Sequence, residues 1–127
     1  MEIDQYGCYK MMNITISGTF VSDPLVSTLL FWSEKSNDQV NIKVAPYNQV
    51  FHYLATLQDD TNNINFSVVL VRFEDLDEKE YKKLQDNCIL LVNAIEHASQ
   101  QHINNSFIVC ICPPSPKFSD KLLLEFN

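Results

Sequence analysis

The chain has two glycines in 127 residues, Gly7 and Gly18. Neither a Walker loop nor a dinucleotide fingerprint can be assembled from so few, which argues against nucleotides, and no cofactor is expected. Basic residues are also scarce. Nine Lys and Arg stand against sixteen Asp and Glu, for a net charge of −7, and they are scattered. A protein that neutralises phosphates needs a clustered positive surface, so nucleic acid is not an expected partner. No apolar run is long enough to span a bilayer, and the start Met1-Glu2-Ile3-Asp4-Gln5 lacks the basic and apolar segments of a signal peptide. The reading is a cytoplasmic protein with no membrane partner.

Histidine is limited to His52, His97 and His102. All three fall on predicted helix faces or in a helix-to-strand loop, where solvation is expected, and no metal site is predicted. The four cysteines are Cys8, Cys88, Cys110 and Cys112. Three of them sit inside apolar periodic segments, where a buried, reduced thiol is the expected state. Cys110 and Cys112 share one face of a strand, but a Cys-x-Cys pair without a second Cys/His pair nearby does not make a zinc site.

What is present suits one folded unit. Apolar residues make up 46% of the chain and charged residues 20%, within the range of globular proteins, so residues 1–127 are expected to form a single domain. Met12-Asn13-Ile14-Thr15-Ile16 reads as a strand ending in a Ser17-Gly18 turn. Asp23-Pro24 supplies a cap and a first-turn proline for a helix to Lys35, with Leu25, Thr28, Leu29 and Trp32 on one face. Val40-Asn41-Ile42-Lys43-Val44 alternates as a strand and stops at Ala45-Pro46. Asn48 is positioned to cap a helix carrying Val50, Phe51, Leu54 and Ala55.

Asn65-Phe66-Ser67-Val68-Val69-Leu70-Val71 becomes continuously apolar, as a central strand covered on both faces does. Asp77 with Glu80 opens a long helix whose face is Tyr81, Leu84, Cys88, Leu91, Ile95 and Ala98. A last strand, Phe107-Ile108-Val109-Cys110-Ile111-Cys112, ends at Pro113-Pro114-Ser115-Pro116. Ser119 and Leu122-Leu123-Leu124 suggest a short final helix. Strands separated by helix-length crossovers predict an α/β three-layer sandwich with a mostly parallel sheet in the flavodoxin-like order 2-1-3-4. Because the chain stops soon after, a truncated domain is expected, with an open sheet edge that a homodimer would cover.

In an open parallel sheet, ligands bind beyond the carboxyl ends of the strands. Four loops are predicted there: Ser17-Gly18-Thr19-Phe20, Ala45-Pro46-Tyr47-Asn48-Gln49, Arg72-Phe73-Glu74-Asp75 and Pro113-Pro114-Ser115-Pro116. They gather candidate binding residues Thr19, Tyr47, Asn48, Gln49, Arg72, Glu74 and Asp75. Ser17, Asn48 and Asp75 also stand roughly where a serine hydrolase of the SGNH type keeps its serine, an oxyanion donor and a third polar group. That chemistry needs a general base, and the chain contains no Asp-x-x-His motif. Simpler roles exist for the same residues. Ser17 and Thr19 can cap the first helix and Asn48 the second, Arg72 can pair locally with Glu74 or Asp75, and Trp32, Tyr47 and Phe51 suit a core.

The segments Ile16-Ser17-Gly18-Thr19-Phe20, Asp23-Pro24-Leu25, Phe31-Trp32, Ala45-Pro46-Tyr47-Asn48-Gln49-Val50-Phe51, Val69-Leu70-Val71-Arg72-Phe73-Glu74-Asp75 and Cys112-Pro113-Pro114-Ser115-Pro116 resemble, in this order, the N-terminal SGNH-like domain of FkbH-type proteins and of related nonribosomal peptide synthetase and polyketide synthase assembly-line enzymes. The resemblance spans about Ile14 to Pro116. It implies a non-catalytic interaction or positioning domain whose partners are a carrier protein or neighbouring assembly-line domains. The alternative it implies is a serine acyl or ester hydrolase, or a carrier-protein-directed acyltransferase, of the SGNH type. The dehalogenase-like catalytic part that follows such a domain in FkbH-type proteins, with its aspartate nucleophile motif, is absent from this chain.

Overall fold

Three parallel crossovers shape the molecule, each made by a connection that carries a helix. A computed structural model of the chain describes residues 11–37, 39–60, 62–76, 81–113 and 115–118. The strands are β1 (Met12–Gly18), β2 (Val40–Val44), β3 (Ile64–Arg72) and β4 (Asn105–Cys112), and the helices are α1 (Asp23–Ser36), α2 (Val50–Ala55), α3 (Phe73–Leu76) and α4 (Tyr81–Gln101). All four strands are parallel, in the expected order β2-β1-β3-β4. The predicted cap at Asp77 and Glu80, Cys8 and the final helix from Ser119 onward lie outside the described residues.

The two sheet faces are unequal. Val69 and Val71 of β3 join Val50 and Leu54 of α2, Leu76 of α3, Leu84, Leu91 and Ala98 of α4, and Phe118 in one buried cluster. These residues hold α2, α3 and α4 against one face. The odd-numbered positions of β1 share that face, because Thr15 pairs with Ser67 and Ser17 with Val69 in register. The other face presents Ile14, Ile16, Ile42, Phe66, Val68 and Leu70, and among the described residues only α1, between β1 and β2, crosses it. No residue of α1 is fully buried.

Several local expectations are corrected. β1 continues through Ser17 and Gly18, which pair with Val69 and Leu70 instead of forming a turn. The cap of α1 is Ser22, whose carbonyl receives the Leu25 N–H at 3.0 Å, and Asp23 falls in the first turn. Gln49 is the cap of α2, and Asn48 precedes it with a left-handed φ of 54°, a conformation that asparagine tolerates better than most residues. The sheet-facing side of α1 runs through Leu25, Val26 and Leu29. Trp32 therefore points out and is 63% exposed, and Tyr47 and Phe51 are exposed too. None of the three is core. Trp32 instead packs edge-on to Phe31, with ring centroids 5.5 Å apart.

Substituting Val69→Ala removes two methyl groups from a fully buried central position and is expected to lower unfolding free energy by about 2–3 kcal/mol. Trp32→Ala, at the exposed surface, is expected to change it by no more than about 0.5 kcal/mol. Urea denaturation followed by circular dichroism measures both.

Candidate functional site

The carboxyl ends of β1 and β3 are adjacent, and the two chains leave them for opposite faces of the sheet. Arg72 is the last residue of β3. Its backbone N–H donates to Thr19 Oγ1 at 3.1 Å, and the same hydroxyl donates to Asp75 Oδ2 at 2.9 Å. Arg72 Nε and Nη2 then donate to Asp75 Oδ2 and Oδ1, each at 3.1 Å. Hydrogen bonding to Asp75 is the main reason that the guanidinium is held even more firmly protonated than usual. The one-turn helix α3 makes this closure possible, since it brings Asp75 back over the strand that ends three residues before it.

The same turn presents Glu74, which receives Ser115 N–H at 3.0 Å and Ser115 Oγ–H at 2.7 Å. Arg72 Nε also lies 3.6 Å from Glu74 Oε1. Above the pair, the Arg72 guanidinium stacks 5.0 Å from the centroid of Phe20. Three of the four predicted loops are thus linked: Thr19 follows β1, Arg72, Glu74 and Asp75 follow β3, and Ser115 follows β4.

The loop after β2 joins through backbone. Asn48 N–H donates to Gly18 O at 3.2 Å and Ala45 N–H to Ile16 O at 2.8 Å. The side chains of Asn48 and Gln49 make no hydrogen bond within the described residues. Tyr47 forms one wall of an open pocket of about 260 Å³ with Gly18, Phe20, Val21, Ser22, Asp23, Val44, Ala45 and Pro46. Gly18 sits tightly beside it: a Cβ there would lie 3.0 Å from the Phe20 carbonyl oxygen, so a side chain would require a small shift of that backbone.

Ser17 is placed differently from the other candidates. It is fully buried, at 0% exposure, and within the strand instead of in the loop. Its Oγ is the one buried side-chain polar atom without a hydrogen-bond partner among the described residues. An orphan hydroxyl of this kind costs stability, yet it is closed to substrate in this conformation.

Sequence reasoning missed a second polar centre at the opposite, amino-terminal end of the strands. Tyr53 Oη and Ser67 Oγ are 2.7 Å apart, and Ser67 Oγ donates to Asn105 Oδ1 at 2.9 Å. Asn105 Nδ2 donates to Asp59 Oδ1 at 2.8 Å, and Asp59 Oδ2 lies 2.9 Å from His102 Nδ1. His102 is therefore paired to a carboxylate and not simply solvated, whereas His52 and His97 are exposed as expected. Beside this chain, Asn41, Asn13, Asn65 and Asn105 occupy matching register positions on all four strands. Asn41 Nδ2 donates to Asn13 Oδ1 at 3.3 Å, and Asn13 Nδ2 to Asn65 Oδ1 at 3.4 Å. The signal for this row was an asparagine near the start of every strand.

Thr19→Val keeps the side-chain shape and removes the hydroxyl that bridges Arg72 N–H and Asp75. It is expected to cost about 1–3 kcal/mol of stability by denaturant unfolding, because a partly buried backbone donor loses its acceptor. Burial, the largest influence on Tyr53, raises its pKa above the ordinary 10.0. A raised folded value stabilises the protein fully below pH 10.0, and that contribution is lost as pH rises through the folded value. Tyr53→Phe is expected to lose about 1 kcal/mol at neutral pH, with the difference from the parent narrowing as pH is raised beyond 10.0 in circular-dichroism denaturation curves.

Comparison of the chain with protein-family models, curated proteins and solved structures finds no match.

Proposed function

We propose that the strand-end face is a non-catalytic docking and positioning surface of a nonribosomal peptide or polyketide biosynthesis protein, and that it engages a carrier protein or a neighbouring assembly-line domain. The observation that carries this reading is that Thr19, Arg72, Glu74 and Asp75 at that face are engaged with one another or with Ser115. Thr19, Arg72 and Asp75 close a ring of hydrogen bonds, and Glu74 is bonded by Ser115 twice. Groups spent on one another hold a shape. They are poorly placed to exchange protons with a substrate. Around them stand exposed Tyr47, the Phe20 ring under Arg72 and the open pocket between the first two loops, a mixture of aromatic and guanidinium surface favoured in recognition. The motif resemblance supplies the partner class.

The second reading, an SGNH-type acyl hydrolase or acyltransferase, draws support from one feature, the unspent hydroxyl of Ser17. It requires that this hydroxyl become exposed and meet a base. His102 is engaged with Asp59 at the far end of the sheet, so the histidine that has a carboxylate partner is not beside Ser17.

Calorimetric or NMR titration with carrier proteins and condensation domains from assembly lines is expected to show binding, weakened about tenfold or more by Arg72→Ala through loss of the stacked cation. Absence of binding to every such domain overturns the docking reading. Turnover of acyl thioesters is expected from neither the parent chain nor Ser17→Ala. Hydrolysis by the parent that Ser17→Ala abolishes establishes the second reading instead.

A further inference from the structure

The two edges of the sheet are treated differently by the sequence. β2 is five residues long, carries Lys43 and is followed closely by Pro46, features that discourage another strand from adding to an edge. β4 also ends at a proline, Pro113, but it is longer and carries no charge. It runs for eight residues, Asn105–Cys112, without a charge or a proline, and it is the last strand on its side of the sheet. Beyond it the described chain turns inward: Ser115 bonds Glu74, and Phe118 is buried in the core. Among the described residues, no strand lies beside the outer backbone groups of β4.

Apolar surface continues from this edge onto α4. Val109 and Ile111 share the α4 face of the sheet, because they pair in register with Val69 and Val71. On α4, Asn87 reaches back to the Leu76 carbonyl and Ala94 packs on the core cluster. At 3.6 residues per turn, Ile89 and Val92 lie on the opposite flank of the helix from those two. Val109, Ile111, Ile89 and Val92 are between 40% and 61% exposed. On the other face of the same edge Ile108 and Cys110 are exposed as well. Isolated exposed apolar residues need no explanation, whereas a contiguous strip along an unpaired strand does.

We infer that the β4 edge is a self-association surface, on which a second copy of this chain adds its own β4 antiparallel across a two-fold axis to give a continuous eight-stranded sheet. A two-fold axis normal to the sheet leaves both copies of α4 on the same face. With paired strands about 4.8 Å apart, a crossover helix centred over β3 and β4 comes to lie about 10 Å from its symmetry copy, which is the spacing of packed helices. One operation thus pairs the strand edges and buries Ile89 and Val92 against their counterparts.

Size and charge favour the same occupant. An eight-residue strand is about 26 Å long. With a helix layer above it, the strip has a projected footprint on the order of 500 Å² per copy, comparable to the ~800 Å² of accessible surface that each partner buries in a standard interface. Two molecules that each carry −7 meet with least repulsion through surface of low charge: β4 is uncharged, and among the described residues Glu96 is the one acidic residue on the α4 flank of Ile89 and Val92. The resulting contact is isologous and closes at two copies.

Sedimentation of the full chain at high micromolar concentration is expected to give twice the chain mass. Val109→Lys on the strand and the double substitution Ile89→Glu with Val92→Glu on the helix are each expected to give the monomer mass with an unchanged circular-dichroism spectrum. A monomeric parent overturns the inference, as do variants that remain dimeric. Hydrogen exchange on the unmodified chain provides a test that does not depend on the variants folding. Amides of β4 are expected to exchange faster on dilution, and protection independent of concentration overturns the inference.

Discussion

The ring formed by Arg72, Thr19 and Asp75 is the constraint on which the strand-end face depends. A parallel sheet leaves the last N–H of a central strand without a ladder partner when its neighbour bends away, and Thr19 supplies the missing acceptor for Arg72. Asp75 then fixes both the threonine hydroxyl and the guanidinium. The ion pair alone contributes little at a partly exposed position. Its importance is geometric, since it fastens the two strands at the place where α1 departs for one face and α3 with α4 for the other. The Glu74 contact to Ser115 extends the same fastening to the chain beyond β4.

The fold was legible because its signals are long and redundant. The apolar run of β3, the 3.6-residue face of α4 and the proline stops after β2 and β4 all point to crossovers of helix length, and right-handedness then leaves few orders for four strands. Boundaries were less legible. Ser17 and Gly18 look like a turn by composition, yet pairing with Val69 and Leu70 of β3 holds them extended, and tertiary pairing overrides local preference. Trp32 fits a helical stripe with Leu25 and Leu29, but a single helix over two strands has a narrow buried arc, and Trp32 falls outside it.

The site was legible as a set of residues and not as a set of bonds. Spacing placed Arg72 and Asp75 near each other, and they form the expected pair. It gave no indication that Thr19, more than fifty residues earlier, would be their third member. The link between Asp59 and His102 was invisible for the same reason, since two loops meet only once the sheet has brought them together. Composition also cannot separate a hydroxyl that is spent from one that is not. Thr19 and Ser17 stand two residues apart, one with two hydrogen bonds and the other with none.

The row of asparagines has a consequence for how the sheet finds its alignment. Parallel strands that slide past each other by two residues keep every apolar side chain on its proper face, so hydrophobic alternation alone does not forbid the slip. Such a slip would set Asn41 against Met11 or Thr15 in place of Asn13, and amides that now satisfy one another would be left facing a thioether or a lone hydroxyl. Each contact is worth only about 1 kcal/mol, but the whole difference counts against the misaligned sheet. The asparagines then act as index marks, contributing little to how strongly the strands bind and much to where they stop.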